Sequence, residues 1–119
     1  MPDTYEAERT SAKADIEKAG CPCKVVNRAN PSTFTATGAL ILTFNLLERL
    51  SGTVLDTDAK FMLPALGNPD PLDPEIYDIV VDDTNPLYAS SIGVYQIIDP
   101  GTFNIGGISI YHEAQVRRR

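Results

Sequence analysis

The sequence has no tryptophan, one histidine and two cysteines among its 119 residues. With a single histidine, a four-ligand zinc site is hard to assemble. Cys21 and Cys23 flank Pro22, and this spacing is not the two-residue gap of zinc or redox pairs. They stand too close for an unstrained disulfide, so they read as reduced, small apolar residues leading into a strand. No apolar run approaches the roughly 18 residues a membrane span needs. The opening stretch, MPDTYEAERT, is charged and lacks a signal-peptide core. A protein made and kept in a cytosol, away from membranes, is the expectation.

Positive charge is also scarce, but only in one region. Up to Arg49, six acids meet six bases. From Asp56 to Asp99, nine acids face Lys60 alone, a net charge of −8 in a chain whose total is −6. Duplex affinity comes largely from Lys and Arg neutralising phosphates, so such a surface repels DNA. Ordinary solubility charge explains it equally well. What the chain does have is apolar content, 43%. A single domain of this length buries about two-thirds of its unfolded surface, enough for a core without metals or crosslinks.

One helix is legible, over residues 3–20. Tyr5, Ala12, Ile16 and Ala19 form a thin apolar stripe, with Asp3 and Glu6 placed as a capping box. Gly20 is expected to end the helix in the left-handed region, and Pro22 forbids continuation. Residues 24–117 then read as a β body. Its strands are Lys24 to Arg28, one bent or two separate strands around a Thr37-Gly38 turn, Lys60 to Leu63, Tyr77 to Val81, Val94 to Ile98 and Ile108 to Val116. In the last of these Ile108, Ile110, His112, Ala114 and Val116 share one face. Short strands at intervals of about ten residues point to a mainly β fold, a small antiparallel β-barrel or sandwich with one N-terminal α-helix and long loops. Pro64 to Pro74 holds four prolines and cannot pair as a central strand. This proline-rich loop and the stretch from Asp82 to Ser91 are long enough to be functional or mobile.

Chemistry is sparse. His112 lies on an apolar strand face and reads as a satisfied interior or interface histidine rather than a general base. Asp82-Asp83 and Asp56-x-Asp58 lack the twelve-residue spacing of a calcium loop and read as turn aspartates. Gly101, Gly106 and Gly107 surround a hairpin, with no helix behind them to receive a phosphate. No catalysis, metal or cofactor is expected.

The order of features resembles the head-closure, or stopper, proteins of long-tailed bacteriophages. The likeness runs through the helix from Asp3 to Gly20, Thr37-Gly38, Leu50 to Val54 (LSGTV), Asp58, Leu63-Pro64-Ala65, Tyr95-Gln96-Ile97, Asp99-Pro100-Gly101, and Tyr111 with Val116-Arg117-Arg118. It spans nearly the whole chain, although the proline-rich insertion is longer than that family's pattern. The resemblance implies a structural virion protein at the neck, assembled in the host bacterial cytoplasm as a homo-oligomeric ring of six or twelve copies. Such a ring sits between a portal adaptor and a tail terminator or tail tube protein. It retains packaged double-stranded DNA, which passes through the channel without sequence-specific binding. Candidate interface residues are Tyr5, Arg9 and Ile16 on the helix, Pro69, Asp70 and Asp73 on the loop, and Arg117, Arg118 and Arg119 at the end. The three arginines are expected to pair with carboxylates of a neighbouring subunit. Deleting them is therefore expected to spare the fold and impair assembly. The alternatives are a tail terminator or adaptor ring of the same neck, the adaptor mainly helical, and a stand-alone β-barrel binding module.

Overall fold

A computed structural model describes residues 4–43, 58–82 and 90–119. Asp3, the Leu50–Val54 stretch, Asp56 and Asp83 lie outside them. The described chain runs α1 (Thr4–Ala19), β1 (Cys21–Asn27), β2 (Phe34–Thr43), β3 (Ala59–Pro64), β4 (Tyr77–Val81), β5 (Gly93–Asp99), β6 (Thr102–Ile105) and β7 (Ile108–Arg118). Every strand pairing is antiparallel. Strands β1, β2, β3, β7, β5 and β4 close on themselves as a six-stranded barrel, and β6 is added as an edge. Closure removes the unpaired edges that an open sheet would leave to solvent or to other chains.

β7 makes closure possible because it is long enough to serve three partners. One edge pairs with β3 from Ala59↔Val116 to Pro64↔Tyr111. The other edge pairs first with β6, through Thr102↔His112, and then with β5, through Tyr95↔Arg118. The exchange falls at the Asp99-Pro100-Gly101 corner, beside an irregularity at Ile97/Asp99. The alternation read from the sequence holds: Ile110, His112, Ala114 and Val116 are buried. They point inward with Val25, Phe61, Leu63, Ile79, Val81, Tyr95 and Ile97. Phe61 and Tyr95 pack ring on ring, their centroids 4.9 Å apart. Removing a ring of this kind from a filled interior costs about 3–5 kcal/mol, so Phe61→Ala is the simplest way to open the barrel.

α1 lies against β7, β2 and β3. Its path is marked by three glycines outside the helix. A Cβ on Gly106 would stand 2.8 Å from the Tyr5 ring, one on Gly67 3.8 Å from Lys13 Nζ, and one on Gly38 3.0 Å from the Glu17 Cα. The helix thus runs from the β6–β7 turn, past the proline-rich loop, to β2. Of its stripe only Ile16 is fully buried; Ala12 is half-buried, and Tyr5 and Ala19 are exposed.

Two local expectations are corrected. Thr37-Gly38 is not a turn but the middle of one continuous strand, and Gly38 is small because the helix crosses there. Gly20 is not left-handed; positive φ occurs at Gly67, Gly93, Gly106 and Gly107. Its amide closes the last helical bond to Ile16 O at 2.8 Å, and a Cβ would lie 2.6 Å from both Ile16 O and Ala39 O. The requirement is for space, not for handedness. Pro22 sits in β1, where β4 has not yet begun to pair (that ladder starts at Lys24), so its missing donor costs nothing on that side.

Candidate functional site: the terminal arginines and the proline-rich loop

β7 carries its side chains alternately in and out, so Gln115, Arg117 and Arg119 share the outer face while Arg118 has the parity of the interior. The outward arginines are not free. Arg117 grips Asp58 with two bonds, Nε to Oδ1 at 2.7 Å and Nη2 to Oδ2 at 3.0 Å. Gln115 Nε2 adds a third at 2.8 Å. Arg119 grips Asp78 in the same forked way, both bonds 2.9 Å, and its amide donates to Val94 O at 2.9 Å. Asp58 and Asp78 are each only 6% exposed. A carboxylate so placed is costly unless paired and hydrogen-bonded. The side-chain bonds to Asp58 and Asp78 in turn raise the pKa of each guanidinium above the ordinary arginine value.

Arg118 differs. Its Nη2 donates to Ser90 O at 2.7 Å and to the Tyr95 hydroxyl at 2.8 Å, and its guanidinium lies 5.4 Å from the Tyr95 ring centre. These partners are neutral. The carboxylates foreseen on a neighbouring subunit are thus, for Arg117 and Arg119, carboxylates of the same chain. The expected deletion phenotype changes accordingly: removing residues 117–119 takes the forked partners from two buried acids, so folding is expected to be affected first.

The proline-rich loop is also held. Leu72 is 0% exposed and belongs to the core cluster. Ala65 N donates to Ile110 O at 3.2 Å, and Asn68 Nδ2 donates to Pro64 O and Thr37 Oγ1 at 2.8 and 3.0 Å. Asp73 folds the exit, its Oδ1 accepting from Glu75 N at 2.8 Å and its carbonyl from Tyr77 N at 3.0 Å. His112, fully buried, pins the middle: Nε2 lies 3.1 Å from Pro69 O and Nδ1 2.9 Å from Thr102 Oγ1. A carbonyl accepts only, so Nε2 carries the proton, and in the neutral ring Nδ1 accepts from the threonine hydroxyl. Burial lowers the His112 pKa, while nearby Asp70 and the Pro69 carbonyl pull it back. Asp70 and Pro71 form the exposed tip. The reach expected of this loop belongs to that tip alone.

Arg28 joins the two features. Its Nη2 donates to Pro74 O at 3.0 Å and to Glu75 O, and its Nε lies 3.9 Å from Asp78. The end of the loop and the end of the chain therefore meet around one carboxylate. The helix candidates are elsewhere: Tyr5 lies against Gly106 at the β6–β7 turn, the opposite end of β7, and the last turn of the helix, with Ile16, reaches β2. There Tyr5 is 40% exposed, Arg9 lies 3.8 Å from Glu6, and Ile16 is buried within the chain and offers nothing to a partner. Cys23 cannot serve as a nucleophile near neutral pH, because burial pushes its thiol up to about 12.

The −8 segment of sequence is not a −8 surface. Asp58 and Asp78 are answered by Arg117 and Arg119, and Asp82 by Lys24 at 2.9 Å. Asp70, Glu75 and Asp99 are exposed and have no ion pair among the described residues. Sequence reasoning missed Asp58 and Asp78 as partners, since they lie 59 and 41 residues from their arginines. The available signal was parity alone: Arg117 and Arg119 share one face of a strand, which marks them as a pair but does not name their acids. Comparison with protein-family models, with curated proteins and with solved structures finds no match for this chain.

Proposed function

We propose that this chain is a ring-forming neck protein of a long-tailed bacteriophage, the head-closure or stopper subunit. In this reading it retains packaged double-stranded DNA, docks the tail and catalyses no reaction. It acts in the virion after assembly in the host cytoplasm, between a portal adaptor and a tail terminator or tail tube protein. The observation that carries the reading is the closed barrel with one N-terminal helix laid across it. A closed, stapled barrel is a rigid body whose outer surface keeps its shape, which is what a segment of a collar needs. The occupied nitrogens of His112 and the high pKa of Cys23 support a role without catalysis. The adaptor alternative requires a mainly helical chain and falls on the mainly β fold.

The test is reconstitution. Purified chain is added to DNA-filled heads that lack this product, and the particles are sedimented and imaged end-on. The expected result is a collar of six or twelve copies on the vertex and restored tail joining. Failure to co-sediment, with the chain folded and monomeric beside filled heads, overturns the proposal. A stand-alone binding module is the second reading, favoured by a cleft at the Arg118 end of the barrel.

A further inference from the structure

Beside Arg118 the barrel opens into a cleft of about 580 Å³. Phe61 and Tyr95 floor it, Ile41 and Ala59 wall it, and Ser90, Arg118 and Arg119 rim it. Arg119 brings no free charge, being forked onto Asp78. Arg118 does, for its acceptors are a carbonyl and a phenol. Both bonds leave from Nη2, so three of its five N–H groups, on Nε and Nη1, bond to nothing among the described residues. No aspartate or glutamate is among the described lining residues to answer it. An apolar hollow beside one uncompensated guanidinium is the complement of an apolar group that ends in a carboxylate.

We infer that this cleft binds an apolar peptide segment of a partner through its carboxylate, with Arg118 as the anchor and the Phe61–Tyr95 floor taking the neighbouring side chain. A carboxylate there gains charge-assisted bonds that an amide does not. Tyr95 orients the anchor: its hydroxyl donates to Ser91 O at 2.7 Å, which leaves its oxygen to accept from Arg118. The inference does not rest on the neck reading, because a chain that never enters a ring keeps the same cleft.

The experiment titrates the isolated chain with acetyl-Leu-Phe bearing a free carboxylate, and separately with its amide, following backbone and arginine Nε–H resonances. The acid is expected to shift Ala59, Tyr95 and Arg118 and to bind at least about tenfold more tightly than the amide, the worth of one charged hydrogen bond. Arg118→Gln should bind acid and amide alike, Arg118→Lys should keep the preference, and Ala59→Leu should lose both ligands by filling the hollow. An acid-to-amide ratio near one in the native chain overturns the inference, as does an unchanged preference in Arg118→Gln. Should Arg118→Gln not fold, the native ratio and Ala59→Leu decide alone: acid binding undiminished by leucine at 59 overturns it too.

Discussion

The proline-rich loop and the arginine tail look alike in sequence, two stretches with no partner in sight, and both turn out to be fastened. They are fastened by different physics. The loop is held by an apolar side chain sunk into the core and by neutral hydrogen bonds from Asn68 and His112. The tail is held by two forked ion pairs to nearly buried aspartates. Hydrophobic burial is non-directional and insensitive to dilute salt, whereas ion pairs near a surface are screened. One chain therefore contains two kinds of closure that salt and pH should separate.

The largest effect is expected from removing residues 117–119. Asp58 and Asp78 would lose their forked partners, Asp78 keeping only Arg28 at 3.9 Å, and β7 would lose its Tyr95↔Arg118 and Gln96↔Arg117 pairings with β5. Leaving a buried charge unpaired is among the most destabilising single events in a fold. The truncated chain should show no cooperative thermal transition near 37 °C by circular dichroism. A melt like that of the intact chain would mean the pairs are decoration, and would return the arginines to the role of free contacts.

Next comes Leu72→Ala, the corresponding break in the loop. A fully buried leucine cut to alanine costs about 2–5 kcal/mol, and the cost should be the same in 50 mM and in 1 M sodium chloride. The single change Arg117→Gln should lower the melting temperature by several degrees at low salt and by visibly less at high salt. If the two variants respond to salt in the same way, the contrast between the two closures fails.

How much of this was legible in the sequence follows from range. The strand of Ile108–Val116 shows in the alternation of neighbours, and so does its inward set Ile110, His112, Ala114 and Val116, because period two is local information; Tyr77–Val81 shows as a short apolar run. The β class and the single helix followed from the same patterns. β6 was visible only as glycines around a hairpin, since four residues between turns carry too little pattern. A barrel was expected beside a sandwich, but the pairing that closes it was beyond reach, for β3 meets β7 across some fifty residues and nothing local announces it. The site was half legible. The three arginines and the loop were marked by type and spacing, but their bonds to Asp58, Asp78 and Pro69 were not. Reading charge as a property of a segment misled, because three acids of the middle, Asp58, Asp78 and Asp82, are matched by bases from outside it.

The smallest effect isolates the loop's polar pin. His112 is buried neutral, and burial holds its pKa below 6.5, the value for an exposed side chain. As pH falls through 6.5 the unfolded chain takes up this proton before the folded one does, so stability is complete above that value and declines below it, until the folded histidine also titrates. The slope due to this residue cannot exceed one proton, about 1.4 kcal/mol per pH unit. Protonation need not tear the pin out: a charged ring would donate from Nδ1 to Thr102 Oγ1, whose own hydrogen can turn to Pro100 O, 3.3 Å away. The loop should therefore loosen by degrees rather than spring free. Denaturant melts of the intact chain and of His112→Gln at pH 7.5, 6.5 and 5.5 measure the difference. The variant should be less stable at pH 7.5 and flatter across the range, with the two curves converging toward pH 5.5. Parallel curves would mean that the pH response does not come from His112, and that the loop's polar pin is not what titrates in this range.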